Sequence, residues 1–128
     1  MICVDTSVII EAVTGRIEDA RAVRRAIEQG ERLAVSALVI YEWLRGPRSR
    51  AELDLQQALF PVESALPFGA REALLAAALY RQTAGARRRA PDLAIAATAI
   101  THDAMLWTLN VADFRDIPRL RLYQPPRT

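Results

Sequence analysis

With 128 residues, 52% of them hydrophobic, the chain carries enough apolar material for one core and too little length for two domains. Its formal charge of +2 is too small to select a polyanionic partner, although all 17 basic residues are arginine. Cys3 and His102, the only residues of their kinds, exclude an internal disulfide and a structural zinc site, and no apolar run is long enough to span a bilayer, so the chain reads as cytoplasmic with no membrane partner.

Ile2, Cys3 and Val4 form a short apolar run, the pattern of a parallel strand buried on both faces, and Asp5 ends it. In open α/β sheets ligands bind outside the carboxyl ends of the strands, which puts Asp5 at the rim of any such site. Thr6 or Ser7 offers an oxygen to the free amides of a short helix over residues 8–13, stopped by Thr14 and Gly15. Ile17, Ala20, Val23 or Arg24, and Ile27 recur at helical spacing over residues 17–29, with Gly30 where a helix end expects it. Residues 32–36 read as a second buried strand, and strand, helices, strand implies a parallel pair.

Residues 37–46 predict a helix apolar on nearly every side, which belongs in an interior or an interface. Glu42 is its one carboxylate. Burying that charge unpartnered costs several kcal/mol, so Glu42 must be paired, with Arg45 the nearest partner, or metal-bound, protonated or at the wet mouth of a cleft. Trp43 suits the core or an interface. Gly46 and Pro47 break the chain before a surface helix over residues 48–60, and residues 62–66 read as a short third strand bounded by prolines. Over residues 69–83, Ala70, Ala73, Leu74 and Ala77 line one side of a strong helix, with Leu75 and Leu79 widening a face suited to an interface.

Residues 85–91, which include Arg87, Arg88 and Arg89, read as a cationic loop leading to Asp92. Asp92 heads an almost wholly apolar helix over residues 92–100, where it can serve as the N-cap. His102 closes that helix as a capping or surface residue. Residues 105–109 predict a fourth strand, residues 120–123 a last one, and residues 125–128 a tail.

Asp5, Glu42, Asp92 and Asp113 each belong to an apolar element or lie just beyond one, and α/β topology brings three of them to one sheet edge. Converging carboxylates repel, and a hard divalent cation relieves them: Mg²⁺ or Mn²⁺ takes oxygen ligands, retains waters and is often shared with substrate phosphates. Such a site activates water and stabilises charge on a phosphodiester. No glycine-rich phosphate loop and no Ser-His-Asp arrangement competes, and an aspartyl-phosphate phosphatase would need a second Asp where Ser7 stands.

Four blocks then carry a family resemblance: Asp5-Thr6-Ser7, Val39-Ile40-Tyr41-Glu42, Asp92-Leu93-Ala94-Ile95-Ala96-Ala97-Thr98-Ala99, and Thr108-Leu109-Asn110-Val111-Ala112-Asp113-Phe114. Together, in order along nearly the whole chain, they resemble a PIN domain and more narrowly the VapC toxins of type II toxin–antitoxin modules. The resemblance implies an α/β, PIN-like sandwich over residues 1–124, its central, mostly parallel sheet of four to five strands flanked by helices. It further implies a Mg²⁺-dependent endoribonuclease with an RNA substrate, a cognate antitoxin that also binds DNA, and a homodimer. By position, Asp5 and Asp92 match the principal metal ligands and Glu42 the third acid. Asn110 stands where some members carry a fourth acid and Asp113 lies three residues later, so either completes the site. Thr6 and Thr108 would support the metal shell, and Arg87, Arg88 and Arg89 would guide the RNA backbone. The competing reading is a PIN fold that binds RNA or protein without cutting.

Overall fold

The apolar run at the start of the chain forms the middle of the sheet. β1 (Ile2–Val4) lies between β2 (Leu33–Val35) and β3 (Met105–Trp107), parallel to both. Val4 pairs with Val35 on one side and Trp107 on the other, so all three strands end at the same edge. The structure is a computed structural model that describes residues 1–15 and 17–126, the side chain of Ile17 excepted. The helix-face position expected of Ile17 and the last two residues of the predicted tail therefore lie outside the described residues.

Two crossovers join the strands. The first holds α1 (Thr6–Thr14) and α2 (Ile17–Glu28); the second holds α3 (Ala37–Leu44), α4 (Arg50–Leu59), α5 (Ala70–Gln82) and α6 (Ala86–Thr101). Ile2, Cys3 and Val4 are buried, as strands covered by helices on both faces require. Burial pushes the Cys3 thiol up to about 11. Trp43 is fully buried, its Nε1 donating to Gln56 Oε1 at 3.3 Å, which ties α3 to α4. Arg48 covers the same ring at 3.7 Å and donates to the Trp43 carbonyl at 2.9 Å, pinning the connection between the two helices. Among the described residues no helix is long and apolar enough to cross a membrane.

The sheet differs from the expected four to five strands. Residues 62–66 hold a 3₁₀ turn (Val62–Ser64) followed by a single parallel bridge from Leu66 to Ser36. Between Pro61 and Pro67 there is no room for a longer ladder, and Pro67 has no amide to extend it. The predicted last strand is likewise one bridge, Leu122 to Leu106, made by Leu106 N–H to the Arg121 carbonyl and Tyr123 N–H to the Leu106 carbonyl, both 2.8 Å.

A larger difference concerns residues 85–91. Instead of a loop they open α6, whose N-cap Gly85 sits at φ +66° and turns the chain sharply out of α5. Arginine favours helix, so Arg87, Arg88 and Arg89 propagate it, and Pro91 lies within it rather than ahead of it. Asp92 accordingly lies beyond the first turn of the helix and is not its cap.

Candidate active site

Asp5 follows β1 directly and heads α1, with its N–H donating to the Trp107 carbonyl at 2.8 Å. Its side chain forgoes the capping bond that the position allows. Instead Oδ2 accepts from Thr108 Oγ1 at 2.8 Å and from Ser7 Oγ at 3.0 Å. Those hydroxyls in turn accept from the amides of Asn110 and Leu109, each at 3.0 Å. The end of β1 is thereby laced to the segment after β3, and Asp5 is held almost buried, at 5% exposure. Both bonds load one oxygen; among the described residues no hydrogen-bond donor reaches Oδ1.

Glu42 reaches the same edge from α3, which starts where Ser36 caps it by accepting from the Val39 amide at 3.1 Å. Its Oε1 accepts from Thr6 Oγ1 at 2.6 Å, the first residue of α1. Thr6 is thus the anchor of Glu42, and Thr108 the anchor of Asp5. The ion pair with Arg45 is not formed among the described residues; the Arg45 guanidinium lies 5.5 Å from the Tyr41 ring centre instead.

Asp92 approaches from α6. Partial burial, then the charges of Asp5, Asp113 and Glu42, in that order, push its carboxyl up to about 6, against a smaller opposing pull from Arg89. Asp5, Glu42 and Asp92 line one cleft of about 310 Å³ together with Thr6, Ser7, Ile10, Arg45 and Asn110. Asn110, rather than Asp113, lines that cleft. Asp113 is exposed, and its charge bears on Asp92 more strongly than that of Glu42.

The three arginines divide. Arg87 and Arg88 are exposed on the first turn of α6. Arg89 grips Asp116 with both terminal nitrogens, at 2.9 and 2.5 Å, and donates to the Asp113 carbonyl at 2.9 Å. That grip raises its own pKa and lowers that of Asp116. Ser7, expected only as a helix cap, and Arg45, expected only as an ion-pair partner of Glu42, are cleft residues that the sequence did not mark as part of the site. Ser7, two places after Asp5, is at the spacing for a local hydroxyl–carboxylate bond, and Arg45 is one helical turn beyond Glu42.

An all-oxygen donor set suits a hard cation. Asp5 Oδ1 and Glu42 Oε2 are without internal partners among the described residues, and the upward shift of Asp92, caused first by burial, includes a repulsion from the neighbouring carboxylates that a cation would relieve. Among the described residues no three Asp, Glu, His or Cys side chains close around a single point. Mg²⁺ does not require that closure, since one or two carboxylates with waters and substrate phosphates suffice. The residues therefore fit such an ion.

The profile of the PIN domain family matches residues 2–120. Ribonuclease VapC of Rickettsia bellii is 35% identical over 96% of this chain and 95% of its own length. The chain belongs to the PIN domain family, in its VapC branch. A second VapC relative, Ribonuclease VapC19 of Mycobacterium tuberculosis, is 34% identical over 96% of this chain and 97% of its own. Two solved structures share the PIN fold: DNA-bound VapBC from Salmonella typhimurium, with a TM-score of 0.75 at 21% identity over 95% and 96% of the two chains, and a toxin–antitoxin complex from Klebsiella pneumoniae, with 0.73 at 26% over 100% of both.

Proposed function

We propose that the chain is a Mg²⁺-dependent endoribonuclease, the toxin of a toxin–antitoxin pair acting in the cytoplasm. The observation that carries this reading is the convergence of Asp5, Glu42 and Asp92 from three separate elements on one cleft. The VapC relatives are named as ribonucleases, and the similar solved structures include VapBC and toxin–antitoxin complexes, which supports both the activity and the antitoxin partner.

When bound, Mg²⁺ or Mn²⁺ supplies a polarised phosphodiester oxygen and a water of lowered pKa. The chain's own contribution is placement. Ser7 and Thr108 fix Asp5, Thr6 fixes Glu42, and Asp92 is ionised at neutral pH and free to bind. Asn110 brings a neutral carbonyl oxygen to the cleft wall without adding charge. Arg87 and Arg88 are the exposed cations available to the RNA backbone, whereas Arg89 spends its donors on Asp113 and Asp116. Leu74, 74% exposed on α5 beside exposed Ala73 and Ala77, offers the apolar face on which a homodimer forms.

Structured RNA incubated with purified protein and Mg²⁺ tests the proposal. Endonucleolytic fragments are expected from the wild type, with at least a hundredfold or so loss in Asp5→Ala and Asp92→Ala and no cutting in EDTA. Cleavage surviving the substitutions and the chelator overturns it, and RNA binding that never leads to cleavage assigns the fold to binding alone.

A further inference from the structure

A second hollow, of about 240 Å³, opens beside the acidic cleft between α3 and α6. Leu38, Tyr41, Pro91 and Ile95 make its apolar wall, and Glu42 and Arg45 make its polar rim. Those last two residues also line the acidic cleft, so the cavities share one border. An apolar cavity of about 150 Å³ accepts a benzene ring, so this hollow has the scale of a single heterocycle.

Among the described residues, the border residue Arg45 is the only cation lining the acidic cleft. Arg89 is committed to Asp116. Arg45 also lies 5.5 Å from the centre of the Tyr41 ring, and Tyr41, 62% exposed, leaves aromatic surface open at the edge of the hollow. An anionic group held at Arg45 would therefore have acidic, oxygen-rich walls on one side and a flat apolar recess on the other. A ribonucleotide has that layout, with a phosphate joined through its sugar to a planar base.

We infer that the hollow of Leu38, Tyr41, Pro91 and Ile95 is a nucleobase subsite, with Arg45 holding the phosphate between the base and the acidic cleft. The inference rests on the reading of the cleft as a ribonuclease centre, and it adds a source of base selectivity. Stacking against aromatic and apolar surface tolerates any base but favours larger rings, so purines gain most at the position next to the scissile bond. Continuity with the cleft favours RNA as occupant over a protein segment, because a strand bound in the cleft can extend across the shared rim of Glu42 and Arg45 into the hollow.

The test uses oligoribonucleotides carrying 2-aminopurine or an abasic sugar at successive positions, bound in EDTA so that nothing is cut. In the wild type, binding should change the fluorescence at one position only, and the abasic substitution there should weaken binding by about tenfold. Leu38→Trp, which fills the hollow, and Tyr41→Ala, which removes an exposed ring with little risk to folding, should both abolish that positional difference. With Mg²⁺ present, the same two variants should raise KM for the preferred substrate and bring the purine-to-pyrimidine ratio of kcat/KM towards one. A wild type that never cleaves but shows the positional signal, lost in both variants, upholds the base subsite and rejects the nuclease. Cleavage without positional signal or base preference rejects the subsite and keeps the nuclease. Variants that handle RNA as the wild type does but sediment as a different oligomer, or lose a partner protein, also overturn the inference.

Discussion

Asp92 carries the charge conflict of the site. Its pKa, raised from 3.8 to about 6 by burial and by three neighbouring carboxylates, means that the folded chain holds this proton more tightly than the unfolded chain does. The stabilising contribution is complete below 3.8 and is lost as pH rises through about 6, so ionised Asp92 burdens the metal-free fold at neutral pH. Replacing it by neutral Asn should stabilise the metal-free protein by about 1 kcal/mol at pH 8, a figure already reduced for solvent screening of a half-exposed group. Denaturant midpoints of wild type and Asp92→Asn should separate above pH 7 and converge below pH 4; midpoints that track each other across the range contradict the assignment. Thr108 makes the complementary case. Thr108→Val removes the 2.8 Å bond to Asp5 while keeping the shape, and should lower kcat by about tenfold with KM little changed, read in steady-state cleavage.

At the scale of the elements, α6 shows where the sequence is legible and where it is not. Its apolar body from Leu93 onward declares itself through composition, but its start does not. Three arginines followed by a proline look like a solvated loop, and only the left-handed turn at Gly85, followed by helix through Pro91, shows otherwise. No atom lies within 4 Å of a Cβ built on Gly85, so Gly85→Ala meets no clash and pays only for its positive φ, about 1 kcal/mol by thermal unfolding. The same turn decides the roles of the arginines. Arg87→Ala with Arg88→Ala should weaken RNA binding and flatten its salt dependence by about 0.7 in slope per arginine. Arg89→Ala should instead release Asp116 and lower stability, and a salt slope altered as much by Arg89→Ala as by the other two would count against this division. The bridges at Leu66 and Leu122 were expected as full strands because short apolar runs flanked by proline carry no signal of how far a ladder extends.

The whole molecule assembles its cleft from segments distant in sequence. That Asp5, Glu42 and Asp92 meet was legible, because each is a lone carboxylate on an apolar element and parallel topology sends those elements to one edge. What each carboxylate bonds to was not, since Thr6 and Glu42 are 36 residues apart and Thr108 and Asp5 are 103 apart. The choice between Asn110 and Asp113 also needed three dimensions: Asn110 lines the cleft, while Asp113 acts on Asp92 by charge from an exposed 3₁₀ turn. Hydroxyls hold the carboxylates in place but leave their charge uncompensated, and compensation is the part assigned to a divalent ion. Calorimetric titration of the folded wild type, Asp5→Asn and Asp92→Asn with Mn²⁺ near pH 6 tests that assignment most directly. Saturable binding with proton release in the wild type, weakened at least about tenfold in either variant, is the predicted result. Equal binding by all three proteins, or none by the wild type, would contradict it.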